Sequence, residues 1–395
     1  MFTYAARILV YLSTCVPVYL YTYLSQGIKL QMSEHTYAVI MAGGGGNRLW
    51  PVSRKEKPKQ LLPLLGQETL FQSTVQRLEN LFPPERILVV TVEEQAREMR
   101  LQAPEILEEN YLIESSPRGT ASVVGLAASV LHKRDRDASM AVLPADHFIR
   151  NRDLFHYLLK AAFDVAENGY LVTLGVTPTQ PSTAYGYIQQ GEPLTGDYKY
   201  PTYKVKSFKE KPDEQTAQKL LRTGDHSWNS GMFVWRADTI LKEIDRQLPE
   251  LGDVLKKISV AWGTDEQTSI LNENWNSLKN ITVDYGVMEN AERVAILPAG
   301  GLGWSDVGMW SSLFEVLLPD MNGNIATNSK LHFAYETHNT LVYGGNNDRL
   351  IVTIGVDDMV IVDGGDVLMV CKTDQSQKVK DVVGHLKKHR QEKYL

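Results

Sequence analysis

Through most of the chain, short apolar runs of strand length alternate with longer amphipathic stretches. Tyr37–Ala42 (YAVIMA) is an apolar run ending in glycines, and Arg86–Val92 (RILVVTV) is β-branched and strand-like. Within Gly119–Arg134, Val123, Val124, Ala127 and Leu131 fall on one helical face. Met140–Leu143 predicts another buried strand, which stops at Pro144-Ala145-Asp146-His147. Asp153–Asn168 predicts an amphipathic helix closed by Gly169, and Leu171–Val176 the next strand. Strands alternating with helices imply βαβ units. The expected fold is α/β, with a Rossmann-like mixed, mostly parallel sheet and helices on both faces. Such sheets bind ligands at the carboxyl ends of their strands, near a switch in strand order. The polar residues after Ala42 and Leu143 fall where chemistry is expected.

After about Pro319 the texture changes. Short strand-like runs appear at Asn339–Tyr343, Leu350–Ile354, Met359–Val362 and Val367–Cys371, separated by Gly344-Gly345, Asp357-Asp358 and Gly364-Gly365. Helical periodicity returns only in the final basic stretch. A small all-β domain over residues 319–395 is expected, behind a main domain over 33–318. Residues 1–32 differ from both, since Ile8–Ile28 carries no charged side chain and is about as long as a membrane span. A membrane anchor, a signal peptide and translated sequence upstream of Met32 all compete here. Pro17 and the polar Ser13, Thr14, Thr22, Ser25 and Gln26 make a poor spanning helix, which favours an extension outside the fold. Membrane association stays open.

Composition narrows the function. The 395 residues are 43% hydrophobic and 22% charged, ordinary for an α/β protein. A net charge of −6 argues against a nucleic-acid binder but allows a phosphorylated small molecule, for which a few local cations suffice. Cys15 and Cys371 are the only cysteines, so neither a disulfide framework nor a cysteine metal site is expected, and the cytoplasm fits best.

The most informative segment is Gly43-Gly44-Gly45-Gly46-Asn47-Arg48-Leu49-Trp50-Pro51, directly after the first strand. Consecutive glycines let the backbone approach a polyphosphate and aim N–H groups at it. The segment has neither the Gly-Lys-Ser/Thr of a Walker loop nor the glycine spacing of a dinucleotide fingerprint. Arg48 adds a permanent cation, and Lys59, in Lys57-Pro58-Lys59-Gln60, could close over the same anion. The bland alternative is a glycine-rich turn beside solvated lysines.

GGGGNRLWPVSR…KPKQ resembles the signature of mannose-1-phosphate guanylyltransferases, within the wider sugar nucleotidylyltransferase superfamily. Five further segments match in order: LPADH at Leu143–His147, FKEKP at Phe208–Pro212, WNSGMFVW at Trp228–Trp235, DYGVME at Asp284–Glu289 and GWSDVG at Gly303–Gly308. The resemblance implies transfer of GMP from GTP to mannose 1-phosphate, giving GDP-mannose and pyrophosphate. It implies Mg²⁺ held by Asp146 and Asp306, and Arg48 and Lys59 as catalytic cations. Gly43, Gly44, Gly45 and Gly46, with Arg118 and Thr120, would hold the nucleotide. Lys211 resembles the residue that grips the sugar phosphate, and Glu289 the carboxylate that binds mannose. Asn229 could hydrogen-bond sugar hydroxyls, and Gly186 lies in the same subsite. In the segment Glu114–Ala121, which resembles EPxxRNTA over the nucleobase, Gly119 replaces the usual Asn and Ser122 the usual Pro. Ala184 likewise departs from the GYGYI pattern. A sister enzyme making another nucleotide sugar, such as dTDP-glucose, and a non-catalytic subunit that senses GDP-mannose are the alternatives. The second is disfavoured because Arg48, Lys59, Asp146 and Asp306 are all present. The C-terminal segment resembles the family's short left-handed β-helix-like piece, which implies a homodimer. The length leaves no room for the isomerase domain of longer relatives, so a single activity is expected.

Overall fold

The computed structural model describes residues 32–44, 46–328, 331–345 and 349–395. The 1–31 stretch and Gly45 of the glycine loop lie outside the described residues. A nine-stranded sheet organises the larger part. Its strands are β1 (Thr36–Met41), β2 (Ile87–Val92), β3 (Tyr111–Glu114), β4 (Ser139–Pro144), β6 (Leu171–Val176), β7 (Tyr187–Pro193), β8 (Tyr203–Lys209), β9 (His226–Arg236) and β10 (Val294–Pro298). The short β5 (Phe148–Ile149) and β11 (Trp304–Ser305) pair antiparallel outside it. The spatial order of the large sheet is β3-β2-β1-β4-β9-β6-β10-β8-β7. Pairs β3–β2, β2–β1, β1–β4 and β6–β10 are parallel. β9 runs against β4, β6 and β7, and β8 runs against β10 and β7. All other strands of this sheet point one way, so it is mixed in pairing and mostly parallel in direction.

Strand alternation explains why this sheet needs two covers. On β1, Ala38 and Ile40 enter one core while Val39 enters another; on β2, Ile87 and Val89 divide from Leu88 and Val90 in the same way. The helix Arg152–Ala166 buries Leu154, Phe155 and Leu158 in the first core. The helices Thr120–Arg134, Ala237–Gln247 and Pro249–Ala261 cover the second. Each fully buried Leu, Ile or Phe contributes roughly 1.5–3 kcal/mol relative to exposure. The chain runs outward from β1 through β2 to β3, then returns to the other side of β1 as β4. The carboxyl ends of β1 and β4 therefore flank a switch in strand order, the place where such sheets form crevices.

The C-terminal part is a β-helix-like stack. β12 (Ile325–Thr327), β14 (Leu341–Tyr343) and β16 (Met359–Asp363) pair in parallel, and β17 (Leu368–Lys372) closes the layer antiparallel to β16. β13 (His332–Tyr335) and β15 (Ile351–Ile354) form a second parallel layer. Buried Asn324 ties successive coils by donating to the Thr337 carbonyl at 2.8 Å and accepting from the Thr340 amide at 3.1 Å. The final basic stretch forms the helix Val379–Lys388. This part shares one apolar core with the larger one. Leu49, Trp50, Leu62, Leu64, Val307 and Trp310 pack with Leu341, Tyr343, Val360 and Val362.

Candidate functional site

A cavity of about 570 Å³ opens at that switch, lined from the ends of β1, β3 and β4 and from the middle of β9. Gly43 and Gly44 form one wall. Behind them the Gln60 amide donates to the carbonyls of Ala42 at 3.0 Å and Gly44 at 3.1 Å, so the KPKQ segment fixes the loop. Gly46 has φ +56°, and a Cβ there would lie 2.4 Å from Lys59 Cβ, so only glycine fits.

Lys59 is 5% exposed, and its ammonium joins the two carboxylates' segments. It donates to Asp146 Oδ2 at 2.8 Å and to the backbone carbonyl of Asp306. Asp306 Oδ1 accepts from Tyr185 Oη at 2.8 Å and from the Gly308 amide at 3.0 Å. Asp146 and Asp306 both line the cavity. The enclosing protein works against ionisation of Asp146, but the Lys59 charge and hydrogen bond outweigh it and hold the carboxyl below its usual range. Burial pushes the neighbouring His147 down to about 4, so its ring is neutral. His147 Nδ1 accepts from Trp304 Nε1 at 3.1 Å. Arg48 is exposed and lines an adjoining cavity of about 1030 Å³, which meets the first at Ala184 and Tyr185.

At the opposite end, Asn229 Nδ2 donates to Asp284 Oδ1 at 2.7 Å, while Asn229 Oδ1 accepts from Thr173 and the Gly231 amide. Burial and the Glu210 charge push Asp284 up to about 6. Glu210 Oε1 accepts from Lys211 Nζ at 2.7 Å, and its Oε2 is buried without a partner. Gly186 leaves room for this carboxylate, since a Cβ there would lie 2.2 Å from Oε2. Lys211 is half exposed at φ +41° and stands at the margin, where its contact with Glu210 outweighs burial and raises its pKa. Glu289 stands behind Glu210, accepting from its amide at 3.3 Å.

At the third corner is Glu114, the last residue of β3. Burial pushes its carboxyl up to about 7, and Oε2 again has no partner. Its Oε1 would lie 2.7 Å from a Cβ on Gly43. Gly119 has φ +83°, and a Cβ would lie 2.3 Å from the Ile281 carbonyl. An asparagine at 119 would strike that backbone, so the departure from the family pattern accompanies close seating of the 280–283 segment. Thr120 Oγ1 accepts from the Val283 amide at 2.9 Å. Arg118 is held toward Ser116 and Asn276, each at 3.2 Å, away from the cavity wall.

Of the residues singled out from sequence, Gly43, Gly44, Thr120, Asp146, Gly186, Asn229 and Asp306 line one cavity. Lys59 backs it and Gly46 packs on Lys59, whereas Arg48, Arg118, Lys211 and Glu289 lie at or beyond its edge. Sequence reading passed over Glu114, Tyr185, Glu210 and Asp284. All four lie within the matched segments, so the signal was present and only the roles were missing. Among the described residues no group of three or more His, Cys, Asp or Glu is arranged to hold a metal, and no helix is long and apolar enough to cross a membrane.

Two family models match the chain: nucleotidyl transferase over residues 37–322, and the mannoseP isomerase/GMP-like beta-helix domain over 331–386. Mannose-1-phosphate guanylyltransferase of Klebsiella pneumoniae is 36% identical over 363 residues, 90% of this chain and 75% of its own length. The alginate biosynthesis protein AlgA of Pseudomonas aeruginosa is 36% identical over 352 residues, 88% of this chain and 71% of its own. A solved structure from Thermus thermophilus, described as a mannose-1-phosphate geranyltransferase, superposes with TM-score 0.80 at 35% identity. It covers 89% of this chain and 99% of its own.

Proposed function

Because this chain belongs to the mannose-1-phosphate guanylyltransferase family and is a nucleotidyltransferase, we propose that it transfers GMP from GTP to mannose 1-phosphate, releasing pyrophosphate. The observation that carries this reading is the single cavity in which the glycine loop, the Lys59–Asp146 pair and the Asn229–Asp284 pair face one another. A phosphate loop with its cation stands at one end, and hydroxyl-reading amide and carboxylate groups stand at the other.

The sugar phosphate attacks the α-phosphorus of GTP in line, and the protein's work is to position two anions and offset their repulsion. The amides of the Gly43–Gly46 loop, with Arg48 at the cavity's edge, hold the departing phosphates. Lys59 stands beside the reacting group, paired with Asp146 at 2.8 Å. Lys211 takes the phosphate of the sugar, and Asn229, Asp284 and Glu289 orient its hydroxyls. Asp146 and Asp306 fit a hard divalent cation, both being oxygen donors on one cavity wall, with Asp146 kept ionised by Lys59. They would hold Mg²⁺, which supplies charge screening between the two phosphate groups. With only two protein carboxylates, the other ligands would come from phosphate and water.

Glu114 supports guanine. Its buried, unpartnered oxygen suits a base that presents neighbouring N–H donors, as guanine does at N1 and N2 and adenine does not. The C-terminal stack supports a homodimer. Phe333 and Val352 are register partners, as are Tyr335 and Ile354, and all four are exposed on one face. A cytoplasmic location belongs to the same reading, in keeping with the unpaired Cys371.

The test is incubation with mannose 1-phosphate, Mg²⁺ and each nucleoside triphosphate in turn, with pyrophosphate measured. GTP should be strongly preferred. A preference for dTTP or UTP, or no release with any, would overturn the reading.

A further inference from the structure

A buried guanidinium lies beneath the turn that carries Asp146, and no carboxylate among the described residues forms an ion pair with it. Arg77 caps the carboxyl end of the helix Leu70–Gln76 and is 4% exposed. Its Nη1 donates to the His147 carbonyl at 3.1 Å, and its Nη2 to Thr74 Oγ1 at 2.7 Å. Thr74, wholly buried, donates its own hydroxyl proton to the Ala145 carbonyl at 3.3 Å. The carbonyls of the residues before and after Asp146 are therefore tied to a pair of side chains at the end of one helix. The guanidinium lies over the Phe155 ring at 5.4 Å, and its Nε has no partner. Burial, with the like charge of Arg152, pushes it down to about 9.

An uncompensated buried cation is costly, and a neutral amide could tie two carbonyls equally well. What the guanidinium adds is a rigid planar fork and a positive charge under a carboxylate site. We propose that Arg77 is a positioning residue: with Thr74 it fixes the carbonyls of Ala145 and His147, the residues on either side of Asp146, and so sets where that carboxylate stands. It touches no substrate. With the 145 and 147 carbonyls drawn toward the interior, the Asp146 side chain is directed to Lys59 and the cavity. The inference rests on the reading of Asp146 as a metal ligand.

The experiment uses the whole protein with GTP bound and reads Mn²⁺ binding by electron paramagnetic resonance, beside turnover with Mg²⁺. Arg77→Met keeps the apolar stem while removing charge and fork. It should weaken Mn²⁺ binding roughly 10–100-fold, the range found when the partners of metal ligands are lost. Turnover should fall in proportion, while GTP affinity without metal stays within about twofold. Arg77→Lys restores charge without the fork and should recover metal binding only in part. Thr74→Val, which is isosteric, frees the Ala145 carbonyl and one Arg77 N–H but leaves the bond from Arg77 to the His147 carbonyl, so it should fall between wild type and Arg77→Met. It decides the matter if Arg77→Met does not fold. A lowered melting temperature with unchanged Mn²⁺ affinity in a folded variant would make Arg77 a core anchor and overturn the proposal. Asp146→Asn is measured alongside. If it binds Mn²⁺ normally, the reading of the site fails first; if it alone loses Mn²⁺, only the role of Arg77 fails.

Discussion

The two ends of the cavity treat negative charge in opposite ways. At the end proposed for the phosphates Asp146 meets Lys59 at 2.8 Å and is held ionised, and Asp306 is ordered by Tyr185 and the Gly308 amide. At the end proposed for the sugar Asp284 and Glu210 crowd together, one pushed up to about 6 and the other with an unpartnered buried oxygen. Glu114, at the base corner, behaves like the second group. The phosphate end is complete before substrate arrives, which is how an electrostatic site avoids reorganising during reaction. The other two corners keep acceptors waiting for donors, and a ligand lacking those donors leaves a buried acceptor unsatisfied. On the proposed function, selectivity belongs to the unfinished corners and rate to the finished one.

That contrast can be broken at several places. The largest effect is expected from Asp306→Asn, which should lower turnover on the order of 10²-fold or more with the ligand-free melting temperature unchanged. Asp146→Asn should be as impaired but also less stable, because it leaves Lys59 buried without its ion pair. The double variant should be little slower than either single one, since both act through one site. Steady-state kinetics and thermal melts check all three.

Glu114→Gln should raise the KM for GTP roughly tenfold through loss of a charge-assisted hydrogen bond, with turnover little changed. Because the wild-type carboxyl sits at about 7, GTP binding should tighten as pH rises through that value, and the variant should lose this dependence. Asp284→Asn should act on mannose 1-phosphate instead, raising its KM by several-fold to about tenfold. Its stability signature has a defined sign. The folded carboxyl is raised from 3.8 to about 6, so the unfolded chain sheds its proton first and the free protein loses stability as pH rises across that window. Melting curves of Asp284→Asn should be flatter between those limits; an unchanged slope would mean Asp284 is ionised throughout. The smallest catalytic effect is expected far from the cavity, where Val352→Glu should turn a dimer into a monomer by sedimentation while activity stays within about twofold.

The sequence made the covered strands legible because each apolar run had to satisfy two faces at once. Tyr37–Ala42 and Leu171–Val176 were placed within a residue of β1 and β6, the second without error. Arg86 was drawn into its strand by its β-branched neighbours, whereas Pro84–Arg86 folds as a separate turn before Ile87. The reversed direction of β9 was not legible, because it depends on pairing with β4 and β6 across long separations. In the site, residue type marked candidate cations and carboxylates, and Asp146, Asp306 and Asn229 do line one cavity. The direction of a long side chain was not visible, so Arg118 and Lys211 stand at the margins. Glu114 and Asp284 passed unnoticed because what marks them is burial that raises the carboxyl, a property of the folded surroundings and not of the residue.

The shared core of the two parts bears on how this chain could have been assembled or can be cut. Trp310 donates to the carbonyl of Trp50 at 3.0 Å and its ring meets Tyr343 at 5.1 Å, while Trp50 donates to the Tyr394 carbonyl at 2.6 Å and Thr327 to that of Leu64 at 3.3 Å. The segment that follows the glycine loop is therefore floored by residues from the far end of the polypeptide. The C-terminal stack cannot be swapped as a cassette, since an exchanged one would have to reproduce the underside of the segment after the glycine loop. Gene fusions that join at residues 319–324 would inherit a loop without its floor, however well each piece is folded elsewhere.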